Sequence, residues 1–138
     1  MFYELAAPSW GPEEIEAAKR VIDSGFYTMG AHVKAFEQEF AAYFGARHAI
    51  MVNSGSSANL VAVAAMAYRQ HRPLQRGDEV IVPALSWATT YHPLQQYGLK
   101  LRFVDITLET LNIDVRQLDQ ALTPRTRESV ALSIFGNT

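Results

Sequence analysis

Cysteine is absent from the 138 residues, and lysine occurs three times, at Lys19, Lys34 and Lys100. Without cysteine there can be no disulfide and no thiolate metal site, and a reducing compartment is compatible with that. No apolar run approaches the roughly 20 residues that a spanning helix needs. The start, Met1-Phe2-Tyr3-Glu4-Leu5, lacks the basic residues and apolar stretch of a secretory leader. A cytoplasmic protein with no membrane partner is the expectation. Charge of one sign is also missing: the net charge is −2. A nucleic-acid partner would demand a basic surplus, so none is expected.

Several familiar motifs are missing too. No Gly-Lys-Ser/Thr follows the glycine at 55, so there is no P-loop. The second and third glycines of a dinucleotide fingerprint are absent, as is the Gly-x-Ser-x-Gly of a hydrolase elbow. His32, His48, His71 and His92 show no metal-ligand spacing, and no metal site is expected. Asp105 and Asp114 sit near strand ends, where capping a turn or helix is the simpler role.

What is present is a globular composition. Hydrophobic residues make up 49% of a chain long enough for one domain with a real core. Ser9-Trp10-Gly11-Pro12-Glu13-Glu14 reads as a helix start, with proline in the first turn and glutamates at the positive end of the dipole. Ile15, Ala18, Val21 and Ile22 recur at helical spacing, and Gly25 is a plausible stop. After a loop at Phe26–Gly30, a second helix carries Val33, Phe36, Phe40 and Tyr43 on one face and ends at Gly45. Aromatics at that spacing usually belong to a core, and Lys34, Glu37 and Glu39 fall off the stripe, facing solvent.

Strands are expected at Ala49–Val52, Glu79–Pro83, Leu101–Asp105 and Ser129–Ile134. Helices are expected from about Ser56 to His71, from Ala88 to Gln96 and from Val115 to Leu122. This alternation indicates βαβ units and a mainly parallel sheet with helices on both faces. Ligands in such sheets bind beyond the carboxyl ends of the strands. The Ser54–Ser57 turn, Ser86-Trp87 and Asp105 all fall at that edge.

The central stretch is Asn53-Ser54-Gly55-Ser56-Ser57-Ala58-Asn59. A helix starting there leaves backbone N–H groups unpaired and carries about half a positive charge. Serine hydroxyls beside those amides would cradle a phosphate dianion, with Gly55 allowing a tight turn or close approach of a ligand. The alternative is an ordinary serine-capped helix. Trp87 can stack on a flat heterocycle, or it can be a core residue under the next helix. None of the three lysines has the look of a buried Schiff-base lysine.

Several segments together are similar to the DegT/DnrJ/EryC1/StrS family of pyridoxal-phosphate sugar aminotransferases. They are Thr28-Met29-Gly30, Phe36-Glu37, Phe44-Gly45, Val52–Leu60, Gly77–Pro83, Phe103-Val104-Asp105, Asn112-Ile113-Asp114 and Gly136-Asn137, spread over essentially the whole chain. Residues 86–98 and the Asn53–Asn59 turn look most like the nucleotide-sugar 3-dehydratase branch. The resemblance implies the N-terminal part of a fold type I, aspartate-aminotransferase-like α/β large domain. Residues 1–45 would form a helical segment, and 46–138 the first, incomplete part of the cofactor-binding domain.

The resemblance also implies roles. Gly55, Ser56 and, more weakly, Ser57 would bind the phosphate of pyridoxal 5'-phosphate or pyridoxamine 5'-phosphate, and Trp87 would stack on its ring. Tyr27–Gly30 would lie near the active site and subunit interface of a homodimer. The substrate would be a nucleotide-linked keto-sugar of polysaccharide or deoxysugar biosynthesis, with glutamate as the usual amino donor. No catalytic residue is expected within the chain. The deciding lysine (aminotransferase) or histidine (3-dehydratase), and the aspartate facing the pyridine nitrogen, would lie past residue 138. The chain alone is therefore expected to be inactive.

In the family's sheet the first strand pairs with strands contributed later. Ala49–Val52 would then stand apart from the other three, leaving the isolated chain marginal, rearranged or dependent on partners. The competing readings are a truncated, non-catalytic fragment with a residual phosphate-binding or assembly role, and a general mononucleotide-binding α/β module.

Overall fold

Glycine and proline set the limits of the first helix. In the computed structural model, which describes residues 9–132, α1 runs Pro12–Ser24 with proline in its first turn. The Glu14 carboxylate accepts the Gly11 N–H at 2.7 Å, satisfying one of the orphan amides of the helix start. Gly25 ends the helix at φ +67°, a left-handed conformation that costs glycine little. The chain divides into two compact units, Met1–Met51 and Val52–Thr138.

The first unit holds α1 and α2 (Ala31–Tyr43). α2 closes with paired bonds from Gly45 N–H to Ala42 O and from Ala46 N–H to Ala41 O, the two-bond helix stop that satisfies trailing carbonyls. Its aromatic stripe is not a core. Phe36, Phe40, Tyr43 and Phe44 are all exposed. They stack on one another instead, with ring centroids of Phe40 and Phe44 at 4.6 Å. Helical spacing correctly groups these rings on one face, but nothing among the described residues covers that face. Glu37 also departs from its expected free exposure, accepting the Met51 N–H at 2.8 Å.

That bond bears on the strand expected at Ala49–Val52. The segment belongs to no sheet. A strand needs a neighbour to take its N–H and C=O groups, and here the Met51 amide turns to a side chain.

The second unit is built on a three-stranded parallel sheet of order β2-β1-β3. The strands are β1 (Glu79–Pro83), β2 (Lys100–Val104) and β3 (Thr126–Ser129). All five residues of β1 are buried, as its unbroken apolar run implies for a central parallel strand. One side packs Val80 and Val82 with Val63, Leu74, Leu94 and Leu99. The other packs Ile81 with Val104 and Ala121. α3 (Gly55–Tyr68) and α4 (Ala88–Gln96) contribute to the first of these layers, and a 3-10 turn at Val115–Gln117 leads into α5 (Leu118–Ala121) on the second. Past the end of α4, Gly98 at φ +75° reverses the chain into β2.

Several boundaries differ from expectation: β2 sits one residue earlier than Leu101–Asp105, and the helix expected over Val115–Leu122 is a 3-10 turn followed by the short α5. α3 stops at Tyr68, three residues before His71, because Arg69 leaves the helix with ψ 148°. β3 begins three residues before the expected Ser129. Its apolar continuation suggested a later strand, but the register is fixed by Glu79. That residue pairs with Thr126, and its N–H donates to Arg125 O at 3.0 Å. Pairing continues through Val130 N–H to Ile81 O. The strand expected over Ser129–Ile134 is contradicted beyond its first residue: β3 ends at Ser129 and residues 130–132 lie outside it. Ser133 and Ile134, the Gly136–Thr138 segment and the Met1–Leu5 start lie outside the described residues.

Glu79 is the buried anion of this sheet, 3% exposed. Thr123 Oγ1 donates to it at 2.7 Å, and Arg125 Nε at 3.0 Å. The Thr123 hydroxyl, then Arg125 and the charge of Arg102, hold its carboxyl below the ordinary value of 4.5, while burial pushes the other way. A carboxylate with a depressed folded-state pKa stabilises the fold fully above its unfolded pKa and loses that contribution as pH falls through the folded one. Melting temperature should therefore fall below pH 4.5. The fall should be shallower in Glu79→Gln, and an identical slope in both proteins would contradict the assignment.

Candidate functional site

The site is assembled where two helices begin side by side. Ser54 caps α3: its Oγ accepts the Ser57 N–H at 3.2 Å and donates to Ser57 Oγ at the same distance. Ala58 N–H then starts the helical ladder to Ser54 O at 3.0 Å. The amides of Gly55 and Ser56 are left without a partner among the described residues. Both the cap and a set of free amides are therefore present. The serine-cap reading holds for Ser54 and Ser57, and it leaves Gly55 and Ser56 open.

Of the two roles expected of Gly55, a tight turn or close approach of a ligand, a left-handed turn is not made, since Gly55 is not among the glycines with positive φ. It is the first residue of α3. A Cβ placed on it would meet no atom within 4 Å. Neither backbone conformation nor internal packing therefore calls for glycine here, and the space beside its amide is open.

β1 leads through Ala84–Ser86 to Trp87, the residue that caps α4. The turn is held by Ser86 Oγ donating to Thr90 Oγ1 at 2.7 Å and by Tyr91 OH donating to Pro83 O at 2.7 Å. Trp87 is 71% exposed. The core-tryptophan reading is therefore wrong: the indole lies outside the packed layer, beyond the carboxyl end of the central strand.

α3 and α4 meet near these starts. Asn59 Nδ2 donates to Thr89 O at 3.2 Å. A cleft of about 200 Å³ between them is lined by Ser56, Ser57, Leu60, Thr89, His92, Pro93 and Gln96, and neither Gly55 nor Trp87 lies on its wall. Larger hollows lie elsewhere: those at residues 34–49 and around Arg69 and Arg127 contain none of the expected site residues, whereas one of about 340 Å³ in the first unit is lined by Tyr27, Thr28 and Gly30. Sequence reasoning missed His92 and Asn59. His92 read as a surface histidine, and nothing in the sequence marked it as facing the serines. Pro93 inside α4 marks the Thr89 carbonyl as in need of a donor, but only the structure identifies Asn59 as that donor.

Other expected residues fall outside this cluster. Tyr27–Gly30 belongs to the first unit, where Tyr27 OH donates to Ile22 O at 3.0 Å. Asp105 accepts the Ile106 N–H at 2.8 Å. Asp114 caps the 3-10 turn and binds Arg116 at 2.8 Å. Arg116, then Gln117, hold its carboxyl well below the usual range. Both aspartates thus serve as turn and cap residues. Lys100 pairs across from Glu79, at the opposite end of the strands from Trp87. Among the described residues no cluster of histidine and carboxylate side chains could hold a metal ion, and no helix is long and apolar enough to cross a membrane.

Comparison with known proteins gives this arrangement a context. GDP-4-keto-6-deoxy-D-mannose 3-dehydratase of Yersinia pseudotuberculosis is 50% identical over 135 residues, covering 98% of this chain and 34% of that protein. A crystal structure of GDP-4-keto-6-deoxymannose-3-dehydratase with a trapped PLP-glutamate geminal diamine superposes with a TM-score of 0.93 at 47% identity, over 99% of this chain and 36% of that one. The E. coli enzyme with bound hydrated PLP gives a TM-score of 0.92 at 48% identity, over 99% and 35%. The chain spans about a third of the length of the curated relatives it matches. Its fold is the N-terminal part of a fold type I, aspartate-aminotransferase-like large domain. The profile of the DegT/DnrJ/EryC1/StrS aminotransferase family matches residues 8–138, and the chain belongs to that family.

Proposed function

We propose that this chain is the phosphate-binding and ring-stacking part of a pyridoxal or pyridoxamine phosphate enzyme acting on a nucleotide-linked keto-sugar. Residues 46–138 are read as the first part of its cofactor-binding domain. One observation carries the reading: two helix starts lie side by side, one with unpaired amides and the other preceded by an exposed tryptophan.

The residues suit the cofactor. A phosphate dianion fits the Gly55 and Ser56 amides, the Ser56 and Ser57 hydroxyls and the positive end of α3. The open space at Gly55 lets it approach the backbone. The attached flat ring fits against the Trp87 indole. When bound, the cofactor supplies an electron sink for carbanion chemistry. These residues anchor and orient it. They move no proton, and no lysine stands among them. The proton-transferring lysine or histidine and the carboxylate facing the ring nitrogen are assigned to sequence past residue 138, in a homodimer. The half-identical 3-dehydratases favour dehydration over amino transfer from glutamate.

Titration of the chain with pyridoxamine phosphate tests this. Ser56→Ala should weaken binding roughly fivefold, the cost of one charge-assisted hydrogen bond. Gly55→Ala should weaken it at least about tenfold while leaving the melting temperature equal or higher, because alanine suits a helix better. Binding of ATP or NAD in its place would favour a mononucleotide module. Binding of none of these would favour a non-catalytic fragment.

A further inference from the structure

α4 contains Pro93, and Pro93 is buried in the helix face that meets the core. Proline has no N–H, so the carbonyl four residues before it, Thr89 O, loses its helical donor. A helix carbonyl without a partner is costly unless water or a side chain takes it. In this chain the donor is Asn59 Nδ2, at 3.2 Å, reaching across from α3. The two ends of this bond sit close to the two halves of the site. Asn59 is four residues after Gly55 and three after Ser56, about one helical turn from the free amides. Thr89 is two residues after Trp87.

We infer that Asn59 is a positioning residue: by donating to the carbonyl that Pro93 leaves free, it fixes the spacing between the α3 amide cluster and Trp87. The bond is directional, which hydrophobic packing is not. Val63 of α3 and Leu94 of α4 pack in one buried cluster, but apolar contact tolerates sliding along the helix axes. A single amide-to-carbonyl bond at the site end of that contact removes the freedom. The asparagine amide is suited to the task because it presents N–H donors on a short, uncharged arm. Aspartate, its isostere, would set a carboxylate against the carbonyl oxygen. The link to cofactor binding rests on the proposed function; the mechanical link does not.

The test separates the two. The absence of native cysteine allows one label to be placed cleanly. In a Trp10→Phe, Ala58→Cys background, bimane on the single introduced thiol reports its distance to Trp87 through the part of the quenching that Trp87→Phe in the same background abolishes. Asn59→Ala and Asn59→Asp should each reduce that quenching about twofold without cofactor, and unchanged quenching overturns the inference. Pro93→Ala restores the missing N–H, so the melting penalty of Asn59→Ala should shrink in that background; an equal penalty in both overturns the role given to Thr89 O. With pyridoxal phosphate added to unlabelled protein, Asn59→Ala should raise Kd roughly fivefold and reduce the quenching of Trp87 at saturation. Ser56→Ala should raise Kd and leave saturated quenching intact. If the parent binds no pyridoxal phosphate, the proposed function fails, while the bimane measurement still decides the case for Asn59.

Discussion

Replacing Trp87 by alanine is expected to weaken pyridoxamine phosphate binding by roughly ten- to a hundredfold, the combined loss of ring stacking and buried aromatic area. Stability should not follow. The indole is 71% exposed and belongs to neither packed layer of the sheet, so its removal opens no cavity. Its backbone still starts α4 through the Thr90 N–H bond to Trp87 O at 2.9 Å, which alanine preserves. Parallel measurement of affinity by titration and of stability by thermal melting checks both halves. Loss of affinity together with a large fall in melting temperature would mean that the side chain supports the fold. Unchanged affinity would remove it from the site. Trp87→Phe should recover most of the binding, because a smaller aromatic face still stacks.

Leu94→Ala should do the reverse in kind. Leu94 is 1% exposed and packs with Val63, Leu74, Val80, Val82 and Leu99. Leucine-to-alanine changes in such surroundings cost about 2–5 kcal/mol, from lost transfer energy plus the cavity left behind. That is a large share of the stability of any small domain. The expected readout is a midpoint in urea displaced to lower concentration with an unchanged slope, since the surface exposed on unfolding stays the same. Because α4 carries Trp87 at its start, a loosened seat should lower cofactor affinity as well. Leu94→Met, which nearly conserves volume, should cost under about 1.5 kcal/mol. A destabilisation in Leu94→Met as large as in Leu94→Ala would show that the pocket is shape-specific.

The two substitutions also mark what could be read from the residues alone. β1 was legible to the residue because Val80, Ile81 and Val82 form an unbroken β-branched run, which only a strand covered on both sides requires. α4 was legible from Ala88 to Gln96 because Trp87 and Gly98 bracket it. The aromatic stripe of α2 was legible as a face but not as an exposed one. Periodicity reports which residues share a side, not whether anything lies against it. Ala49–Val52 has strand composition, yet composition cannot supply a neighbour. β3 was misplaced because its register depends on Glu79, more than 40 residues earlier in the sequence, and not on its own apolar pattern. At the site, the serines and the tryptophan stood out by type. The free amides of Gly55 and Ser56 could be told from the capped amide of Ser57 only once Ser54 was seen bonding to it.

The central position of β1 has a consequence for how this chain acquires its shape during synthesis. The strand leaves the ribosome before either neighbour, and both partners follow it in sequence. The chain from Glu79 to Thr126 is roughly double that to Lys100, and each doubling of a closing loop costs about 0.6 kcal/mol. Loop closure alone thus favours pairing with β2, with α4 as its crossover, over pairing with β3. Among the described residues no strand pairs with the outer rim of β2 or of β3, which leaves strand addition possible on both sides.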